Sequence, residues 1–538
     1  MILEANLIDL HQKRIFYGRV QMEQDKITHR QELGPERSGT PYLMPGFIDA
    51  HIHIESSLLV PSEFARVAVR HGTVATVSDP HEIANVLGVK GVRFMLDNAA
   101  QVPFHFFFGA PSCVPATAYE TAGARLGPDE VENLLRDPHI LYLSEMMNWP
   151  GVLGQDAEVM EKLALARRYG KPVDGHAPGL RGEQAQAYAA QGISTDHECF
   201  TLDEAREKIA LGMKVIIREG SAARNFEALW PLLLETPDWV MLCSDDKHPD
   251  ELLAGHINQL AARAVAKGVD HWAVMRAACL NPILHYQLPL GTLQPGDPAD
   301  CILVSNLRKF DVLMTCIQGQ VVFEGDECLI PSVPVRAINR FQARACRVDE
   351  LAAPARSSDW PVIVALDGQI VTERETHVLP LINGSAQPDP IQDLLKITVV
   401  NRYMTAPPAV AFIRGFGLRE GALASTVAHD SHNIVAVGSN DENLCLAVNE
   451  LMRIEGGMVA VADGKCHSLA LPVAGLMSLE DAPTVSQAYQ TLDTLVKKMG
   501  SGLSAPFMTL SFMALLVIPR LKLSDKGLFD AERFTFVP

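Results

Sequence analysis

The sequence between residues 44 and 290 repeats one pattern of hydrophobic and polar positions eight times. In each repeat, a short apolar, β-branched or aromatic run ends in a polar cluster, and a stretch with apolar residues at three- and four-residue spacing follows. This alternation predicts strands that are each followed by an amphipathic helix. The predicted strand runs are GFIDAHIHIE (46–55), TVATVSDPHE (73–82), FHFFFGAPS (104–112), ILYLSEMMN (140–148), KPVDGHAPG (171–179), ISTDHECF (193–200), KVIIREGS (214–221) and WVMLCSDD (239–246).

Helical stretches are predicted between these runs, for example at 61–72, 157–170, 202–212 and 222–235. Eight strand–helix units in about 250 residues match the size of a TIM-like (β/α)8 barrel. An open doubly wound sheet is the structural alternative, and about six units would suit it better. Every run carries His, Asp, Glu or Ser at its C-terminal end, where a barrel gathers its active site, which favours the barrel.

The sequence on either side of the barrel predicts three further parts of an α/β protein. Residues 1–43 and 290–335 contain short strands with Gly and Pro, and we expect them to combine into one small, split β-sandwich domain. The catalytic barrel then spans 44–289. A charged stretch at 336–360 is a predicted linker, and 361–538 form a C-terminal domain of α/β or α+β type.

Composition and charge limit the kinds of partner. The 538 residues include 46 Lys+Arg and 64 Asp+Glu, so the formal charge is 46 − 64 = −18, which disfavours binding to nucleic-acid polymers and anionic membranes. Hydrophobic residues make up 48%, as in ordinary globular proteins. The ten Cys are scattered without a C-x-x-C motif, and the N-terminus lacks the features of a signal peptide. We therefore expect a cytoplasmic protein with reduced thiols.

A set of metal-ligand residues falls at the ends of the predicted strands. His51 and His53 form an H-x-H pair whose side chains point to the same side of a strand. Further imidazoles and carboxylates end the fourth, fifth, sixth and eighth runs, and these residues are Glu145, His176, His197 and Asp245. Imidazole and carboxylate ligands suit one or two Zn, Fe or Mn ions, and Glu145 is the candidate to bridge two of them. The alternative is that these are structural or surface histidines.

Metal ions held in this way polarise water, so the predicted reaction is hydrolytic attack on carbon or phosphorus. Asp245 is expected to bind metal and also to move a proton. His81, in the DPHE run, is a candidate acid/base or substrate contact. Candidate substrate-binding residues end the last two runs, and they are Arg218, Glu219, Ser221 and Asp246. The alternative for the REGS run (218–221) is a network of loop salt bridges.

The HDSHN segment (429–433) is not explained by the barrel pattern. His429 and His432 are three positions apart with Asp430 between them. This spacing is compatible with an additional metal or with a lid that contacts the site, and a surface turn is the alternative.

Several motifs resemble one known family. PGFIDAHIHIESS (45–57) and LQPGDPADCILV (293–304) are typical of the amidohydrolase superfamily. More specific motifs resemble the branch of that superfamily that deaminates adenine, and they extend into the last 180 or so residues. These motifs are DPHEIANVLG (79–88), SCVPA (112–116), SEMMNWPGV (144–152), IREGSAARN (217–225), CSDD (243–246), GFGLREGALASTVAHDSHNI (415–434) and LPVAGLMS (471–478).

The resemblance implies hydrolysis of adenine to hypoxanthine and ammonia, with hydroxide attacking C6 of the purine, as part of purine salvage. It implies two divalent metals, Mn or Fe with Zn as a further candidate, bridged by Glu145. The remaining ligands would be His51, His53, His176, His197 and Asp245. It also implies a small-molecule substrate and favours a homo-oligomer such as a dimer. The motif at 176–179 reads H-A-P-G where H-C-P-G is common in the family, and the N-terminus is short, which puts in doubt any pocket or interface made by an extension.

Other activities are compatible with the same barrel. Another 6-aminopurine or a cyclic amide is an alternative substrate, but dihydroorotase- and hydantoinase-type relatives usually bridge their metals with a carboxylated Lys where this chain has Glu145. Cytosine-deaminase-type relatives usually place a catalytic Glu shortly after the fifth-strand His, where this chain has Ala177-Pro178-Gly179. A non-enzymatic metal-storage protein is the alternative from a different class, and it predicts metal binding without ammonia release.

Overall fold

A computed structural model describes residues 1–354 and 359–537 of the chain. Its N-terminal part is a group of strands, and the last five residues of the first strand are all buried. The first two strands pair antiparallel, and the fourth pairs parallel to the first. The bounds are β1 (Ile2–Asp9), β2 (Arg14–Glu23), β3 (Lys26–Pro35) and β4 (Tyr42–Pro45).

Eight parallel strands follow, in the order that the sequence pattern predicts. Five form one parallel sheet and three form another. Parallel bridges between Val173 and Ile193 and between Ile52 and Asp245 join the two sheets at both ends, so the strands follow one another around a ring. The bounds are β5 (Phe47–Ile52), β6 (Thr73–Ser78), β7 (His105–Ala110), β8 (Ile140–Met146), β9 (Val173–Gly175), β10 (Thr195–Asp196), β11 (Lys214–Arg218) and β12 (Val240–Cys243).

Helices connect these strands, as the apolar spacing predicts. The stretch 222–235 differs from the prediction, because it forms two short helices separated by Trp230 and Pro231 instead of one. Proline lacks the backbone N–H that a continuous helix needs, so the break falls at this position. The bounds are α1 (Pro61–Ala68), α2 (His81–Leu87), α3 (Val89–Ala99), α4 (Pro128–Leu135), α5 (Trp149–Leu153), α6 (Ala157–Arg168), α7 (Gly182–Ala189), α8 (Leu202–Ala210), α9 (Phe226–Leu229), α10 (Leu232–Glu235), α11 (Pro249–Ala254), α12 (Ile257–Ala266), α13 (His271–Met275) and α14 (Asn281–Tyr286).

The chain then returns to the N-terminal strands and completes their sheet. The new strands are β13 (Cys301–Val304), β14 (Val312–Ile317), β15 (Gln320–Glu324) and β16 (Glu327–Cys328). Because β13 pairs with β4, the eight strands form one sheet in the order β16-β15-β14-β13-β4-β1-β2-β3. The two ends of the barrel sequence therefore meet in one sheet, whereas its description as a sandwich and the exact domain limits stay predictions.

The C-terminal part contains a second eight-stranded sheet, in the order β19-β18-β23-β22-β25-β24-β26-β27, and three helices. The helices are α15 (Asp441–Arg453), α16 (Ala482–Lys498) and α17 (Pro506–Ser511). The strands are β17 (Ala353–Pro354), β18 (Asp359–Ala365), β19 (Thr372–Val378), β20 (Leu381–Ile382), β21 (Ser385–Ala386), β22 (Leu395–Val400), β23 (Ala409–Arg414), β24 (Ala422–Ser425), β25 (Ile434–Gly438), β26 (Gly457–Ala462), β27 (Lys465–Ala470), β28 (Leu521–Ser524), β29 (Gly527–Asp530) and β30 (Thr535–Phe536).

The predicted linker at 336–360 is tied to its surroundings over its described part. The buried Arg402 guanidinium donates hydrogen bonds to the Asn339 side chain at 2.7 Å and to the Arg340 carbonyl at 3.2 Å. Residues 355–358 of the predicted linker lie outside the described residues. Across the described ranges, no helix combines the length and the apolar character needed to cross a bilayer. All ten cysteines are free thiols.

Candidate metal centre and active site

The predicted metal ligands come together at the C-terminal ends of the barrel strands. All six residues are buried, and each is at most 6% exposed. His176 and His197 directly follow β9 and β10, and Asp245 lies two residues beyond β12. The other three lie near the ends of β5 and β8 or directly after β5. The six residues are His51, His53, Glu145, His176, His197 and Asp245.

The H-x-H pair and Asp245 form one end of this cluster. The Nε2 atoms of His51 and His53 lie 3.2 Å apart, and each is 3.5 Å from Asp245 Oδ1. The backbone fixes this approach, because the Asp245 N–H donates a hydrogen bond to the His51 carbonyl at 3.0 Å across the β5–β12 seam. Alternation along β5 directs both imidazoles inward, as the sequence predicts.

Glu145 lies between the two pairs of histidines. Its Oε1 is 3.3 Å from His53 Nε2, and its Oε2 is 2.7 Å from His176 Nδ1 and 3.2 Å from His197 Nε2. Each carboxylate oxygen therefore faces a different group of imidazole nitrogens. A carboxylate that bridges two metal ions needs this placement.

The donor set fits divalent metal ions. Potential ligand atoms of His51, His53 and Asp245, and likewise those of His51, Glu145 and His197, lie within 4.8 Å of one another in buried surroundings. Imidazole and carboxylate ligands in this number are typical of Zn, Fe and Mn sites. Buried ionisable groups at this density need a compensating partner, and a metal ion supplies one.

Electrostatics keep the carboxylates ready to bind cations. Burial alone would raise the pKa of Glu145, but the charge and hydrogen bond of His176 outweigh it and hold the pKa well below its usual range. Burial also opposes ionisation of Asp245, yet the Arg218 guanidinium holds the pKa of this carboxyl well below its usual range. Both side chains are therefore carboxylates at neutral pH.

His81 lies beside the same cluster. Its Nδ1 is 3.0 Å from Asp79 Oδ2 and 3.4 Å from Glu145 Oε1. The backbone N–H of His81 also donates to Asp79 Oδ1 at 3.1 Å, where β6 ends and α2 begins. Asp79 thus orients an imidazole that reaches Glu145, and sequence reasoning had not assigned Asp79 a role.

The four predicted substrate-binding residues divide into two groups. Arg218 and Asp246 line the cavity above the cluster. Glu219 instead forms an ion pair with Arg263 at 2.5 Å, and Ser221 hydrogen-bonds Glu251 Oε2 at 3.0 Å. Neither Glu219 nor Ser221 belongs to the cavity wall, and both take part in the loop network that was the alternative for this run.

Glu198 is a cavity residue that sequence reasoning missed. It accepts a hydrogen bond from Arg218 Nη2 at 2.8 Å, and its Oε1 is 3.6 Å from His176 Nδ1 and 3.5 Å from His197 Nε2. Its position directly after a predicted ligand, at the end of the sixth run, was the signal that would have identified it.

The C-terminal domain covers the mouth of the barrel. Five of its side chains line the cavity together with the barrel residues, and these are Ile370, His429, Asp430, Phe512 and Leu515. The remaining lining residues come from the barrel and are His53, His81, Glu82, Glu145, Met147, His176, His197, Glu198, Arg218, Asp245 and Asp246. No periodicity in the sequence indicated these C-terminal contacts.

The HDSHN segment contacts this cavity, so the surface-turn alternative is wrong. His429 is 2% exposed and His432 is fully buried. His429 Nδ1 and His432 Nε2 both approach the Glu82 carboxylate, which begins α2 beside His81. Two histidines of the C-terminal domain are thereby joined to the barrel through a single carboxylate.

Comparison with known proteins agrees with the fold and defines the family. Residues 42–322 match the amidohydrolase family, and 369–535 match the adenine deaminase C-terminal domain. Together with the buried His/Asp/Glu clusters, the first match defines the class as a metal-dependent amidohydrolase.

Full-length relatives give a narrower assignment. The chain is 52% identical to the adenine deaminase of Sulfurovum sp. (strain NBC37-1), over 100% of this chain and 99% of that protein. It is also 52% identical to the adenine deaminase of Salinibacter ruber, over 99% of this chain and 98% of that protein. The adenine deaminase of Methanosarcina mazei is 49% identical to the chain, over 99% of this chain and 98% of that protein. The chain therefore belongs to the amidohydrolase family and, within it, to the adenine deaminases.

Proposed function

We propose that this protein hydrolyses adenine to hypoxanthine and ammonia and thereby serves purine salvage. The observation that carries the proposal is full-length similarity at about 50% identity to proteins that bear this name, in a chain whose buried cluster suits metal-assisted hydrolysis. Such an enzyme is a hydrolase acting on the C–N bond of a small molecule.

The proposed centre holds two divalent metal ions, Mn or Fe, with Zn as a further candidate. His51, His53 and Asp245 would hold one ion, His176 and His197 the other, and Glu145 would bridge them. When bound, the metals supply Lewis acidity that activates water at neutral pH. The 3.3 Å and 2.7 Å distances from the two Glu145 oxygens to histidines on either side support this division.

Asp245 is the proposed proton carrier. Arg218 Nη1 donates to Asp245 Oδ2 at 2.7 Å, which leaves Oδ1 directed toward the H-x-H pair. An ionised carboxylate so placed can take a proton from attacking water and deliver it to the amino group that leaves C6 as ammonia. His81, held by Asp79, is the proposed second acid/base group.

Substrate contacts are proposed for the cavity-lining members of the predicted set, Arg218 and Asp246. Arg218 also pairs with Glu198 and Asp245, so besides contacting the substrate it would fix these two carboxylates beside it. A substrate contact is less favoured for Glu219 and Ser221, because their side chains bond to Arg263 and Glu251. The cytoplasmic location and the homodimer remain proposals from the sequence. The limits of the four parts also remain proposals, and these parts are the split β domain, the barrel, the linker and the C-terminal domain.

The test measures ammonia release from the amino-substituted bases and nucleoside, and ring opening of the cyclic amides, whose hydrolysis releases no ammonia. Purified protein is loaded with Mn or Fe and given adenine, adenosine, cytosine, guanine, N6-substituted adenines, a hydantoin and dihydroorotate. We expect turnover of adenine and none of the cyclic amides, because Glu145 stands where a carboxylated Lys would serve those relatives. Turnover of a cyclic amide without activity on adenine would contradict the proposal, and metal binding without turnover of any of these compounds would favour a storage role.

A further inference from the structure

We infer that His429, supplied by the C-terminal domain, donates a hydrogen bond from Nε2 to a ring nitrogen of the purine and so contributes to base recognition. This inference rests on the proposed function, because it takes the ligand to be a 6-aminopurine. It concerns a residue outside the barrel, which contains all of the proposed metal ligands.

The His429 ring is held in one orientation by contacts on two sides. Nδ1 faces the Glu82 carboxylate, and the ring stacks on Phe512 with centroids 4.7 Å apart and planes inclined by 14°. Glu82 is itself fixed by His432 and by His81, whose Nε2 is 3.3 Å from Glu82 Oε1. A carboxylate at Nδ1 fixes the proton there and determines what the other nitrogen presents.

Nε2 is the polar atom of His429 that remains available to a ligand. It is buried and has no hydrogen-bond partner among the residues that the structure describes. Asp246 Oδ1 lies 3.9 Å away, beyond hydrogen-bond distance, and both side chains line the cavity. A buried polar atom without a partner is costly unless a ligand or water satisfies it.

The protonation state makes this nitrogen a donor. Burial lowers the pKa of His429, but Glu82 and Asp246 raise it to about 9. At neutral pH the imidazolium therefore carries N–H groups at both positions. The ring nitrogens of adenine that lack hydrogen are acceptors and match a donor at Nε2.

The loop that carries His429 is also fixed. The His429 N–H donates to the Ser511 carbonyl at 3.0 Å, and the Tyr403 hydroxyl donates to the Ser431 carbonyl at 2.6 Å. Asn433 Nδ2 donates to the carbonyl of Thr121 at 2.8 Å, which joins the loop to the barrel part of the chain. A binding group on a fixed loop loses little entropy when the ligand binds.

The experiment separates the two nitrogens of His429. His429→Asn can place an amide N–H near Nδ1 and keep a donor to Glu82, but it leaves no atom at the position of Nε2. His429→Gln can place its amide near Nε2 and reach the cavity instead. Inhibition or dissociation constants are measured on the metal-loaded wild type and both variants with adenine and with its 1-deaza, 3-deaza and 7-deaza analogues.

We expect one analogue to bind the wild type about 10- to 100-fold more weakly than adenine, the effect of losing a hydrogen bond to a charged donor. In His429→Asn this difference should disappear, because adenine loses the same contact, and His429→Gln should retain part of it. If His429→Asn keeps every analogue-to-adenine ratio of the wild type, the inference is wrong.

Two controls make the result specific. Thermal unfolding shows that the variants are folded, and bound metal is counted by mass spectrometry. A loss of metal in His429→Asn would mean that His429 is a metal ligand, which also overturns the inference. Because the ratios report binding, they stay measurable even if the wild type releases no ammonia from adenine, a result that would defeat the proposed function alone.

Discussion

Asp245 combines two environments in one carboxylate. One oxygen faces the Nε2 atoms of His51 and His53 at 3.5 Å, and the other accepts a hydrogen bond from Arg218 at 2.7 Å. The first arrangement suits the proposed role as a metal ligand, and the second keeps the group ionised. Glu145 differs because histidine nitrogens surround both of its oxygens. The two carboxylates should therefore respond differently to removal of their charge.

We predict that Glu145→Gln loses the paired metal centre, while Asp245→Asn keeps some metal and loses turnover. An amide cannot hold two cations between two oxygens, whereas the histidines around Asp245 remain. Losses of the order of 10³-fold or more in kcat are expected for Asp245→Asn if it moves the proton. Metal analysis and ammonia release check both variants, and robust turnover in Asp245→Asn would refute its proton-carrying role.

Lys522 is a buried lysine in the part of the C-terminal domain that covers the cavity. Its Nζ donates to the carbonyls of Ile370 at 2.7 Å and Phe512 at 2.9 Å, and the side chains of both acceptor residues line the cavity. Within the described residues, no carboxylate forms a salt bridge with it. Burial lowers the pKa of Lys522 to about 7 from the usual 10.5. The charged form is therefore disfavoured in the folded protein.

This shift predicts a pH-dependent stability difference between the wild type and Lys522→Met. Between pH 7 and 10.5 the unfolded chain binds more protons at this position than the folded chain, so wild-type stability gains from rising pH. Relative to Lys522→Met, the wild type should gain on the order of 2–4 kcal/mol over this interval. Thermal midpoints of both proteins are compared from pH 7 to 10, and parallel curves would contradict the prediction.

At the scale of elements, the β5–β12 seam depends on side chains as well as on backbone. Asp49 Oδ1 accepts from the Ser244 N–H at 3.0 Å, and its Oδ2 is 2.8 Å from His256 Nε2. His256 Nδ1 is in turn 2.7 Å from the Thr73 hydroxyl, which begins β6. One buried carboxylate thereby connects three strands immediately below the metal cluster.

Asp49→Ala should destabilise the protein by about 3–5 kcal/mol, because it leaves a buried His256 and a Ser244 N–H without their acceptor. Asp49→Asn retains one acceptor oxygen and should cost less. Calorimetric midpoints measure the difference. Equal midpoints for the alanine and asparagine variants would mean that the seam does not depend on this acceptor.

The sequence predicts structure that depends on residues close together in the chain, and it does not predict contacts between residues far apart in the chain. The strands and the convergence of their end residues followed from local periodicity, since a barrel brings all strand ends to one rim. Alternation also explains why Glu219 does not line the cavity. Arg218, the last residue of β11, is directed inward, so the next side chain, that of Glu219, points away from the cavity toward Arg263. The contact between His429 and Glu82 spans 347 positions, and no local pattern specifies such a pairing.

At the scale of the whole molecule, the barrel and the C-terminal domain share the cavity. Glu82 contacts His429 and His432, and Asn433 donates a hydrogen bond to Thr121. Within the C-terminal domain, Lys522 joins the segments of Ile370 and Phe512 by hydrogen bonds to their carbonyls. These contacts bury ionisable groups from both parts in one network. We therefore expect the two parts to unfold together rather than as separate domains.

Metal removal tests this coupling. A ligand that binds only the folded state stabilises it by about 3–4 kcal/mol when its free concentration is a few hundred times its dissociation constant. Treating the metal-loaded protein with a chelator should therefore lower the thermal midpoint, and a single endotherm should shift as a whole because the cavity network joins both parts. The thermal midpoint of Glu145→Gln should change little on treatment with the chelator, because this variant already lacks metal. If chelation moves only part of the heat absorption, the C-terminal domain unfolds independently of the barrel, and its contacts through Glu82 contribute little to the stability of either part.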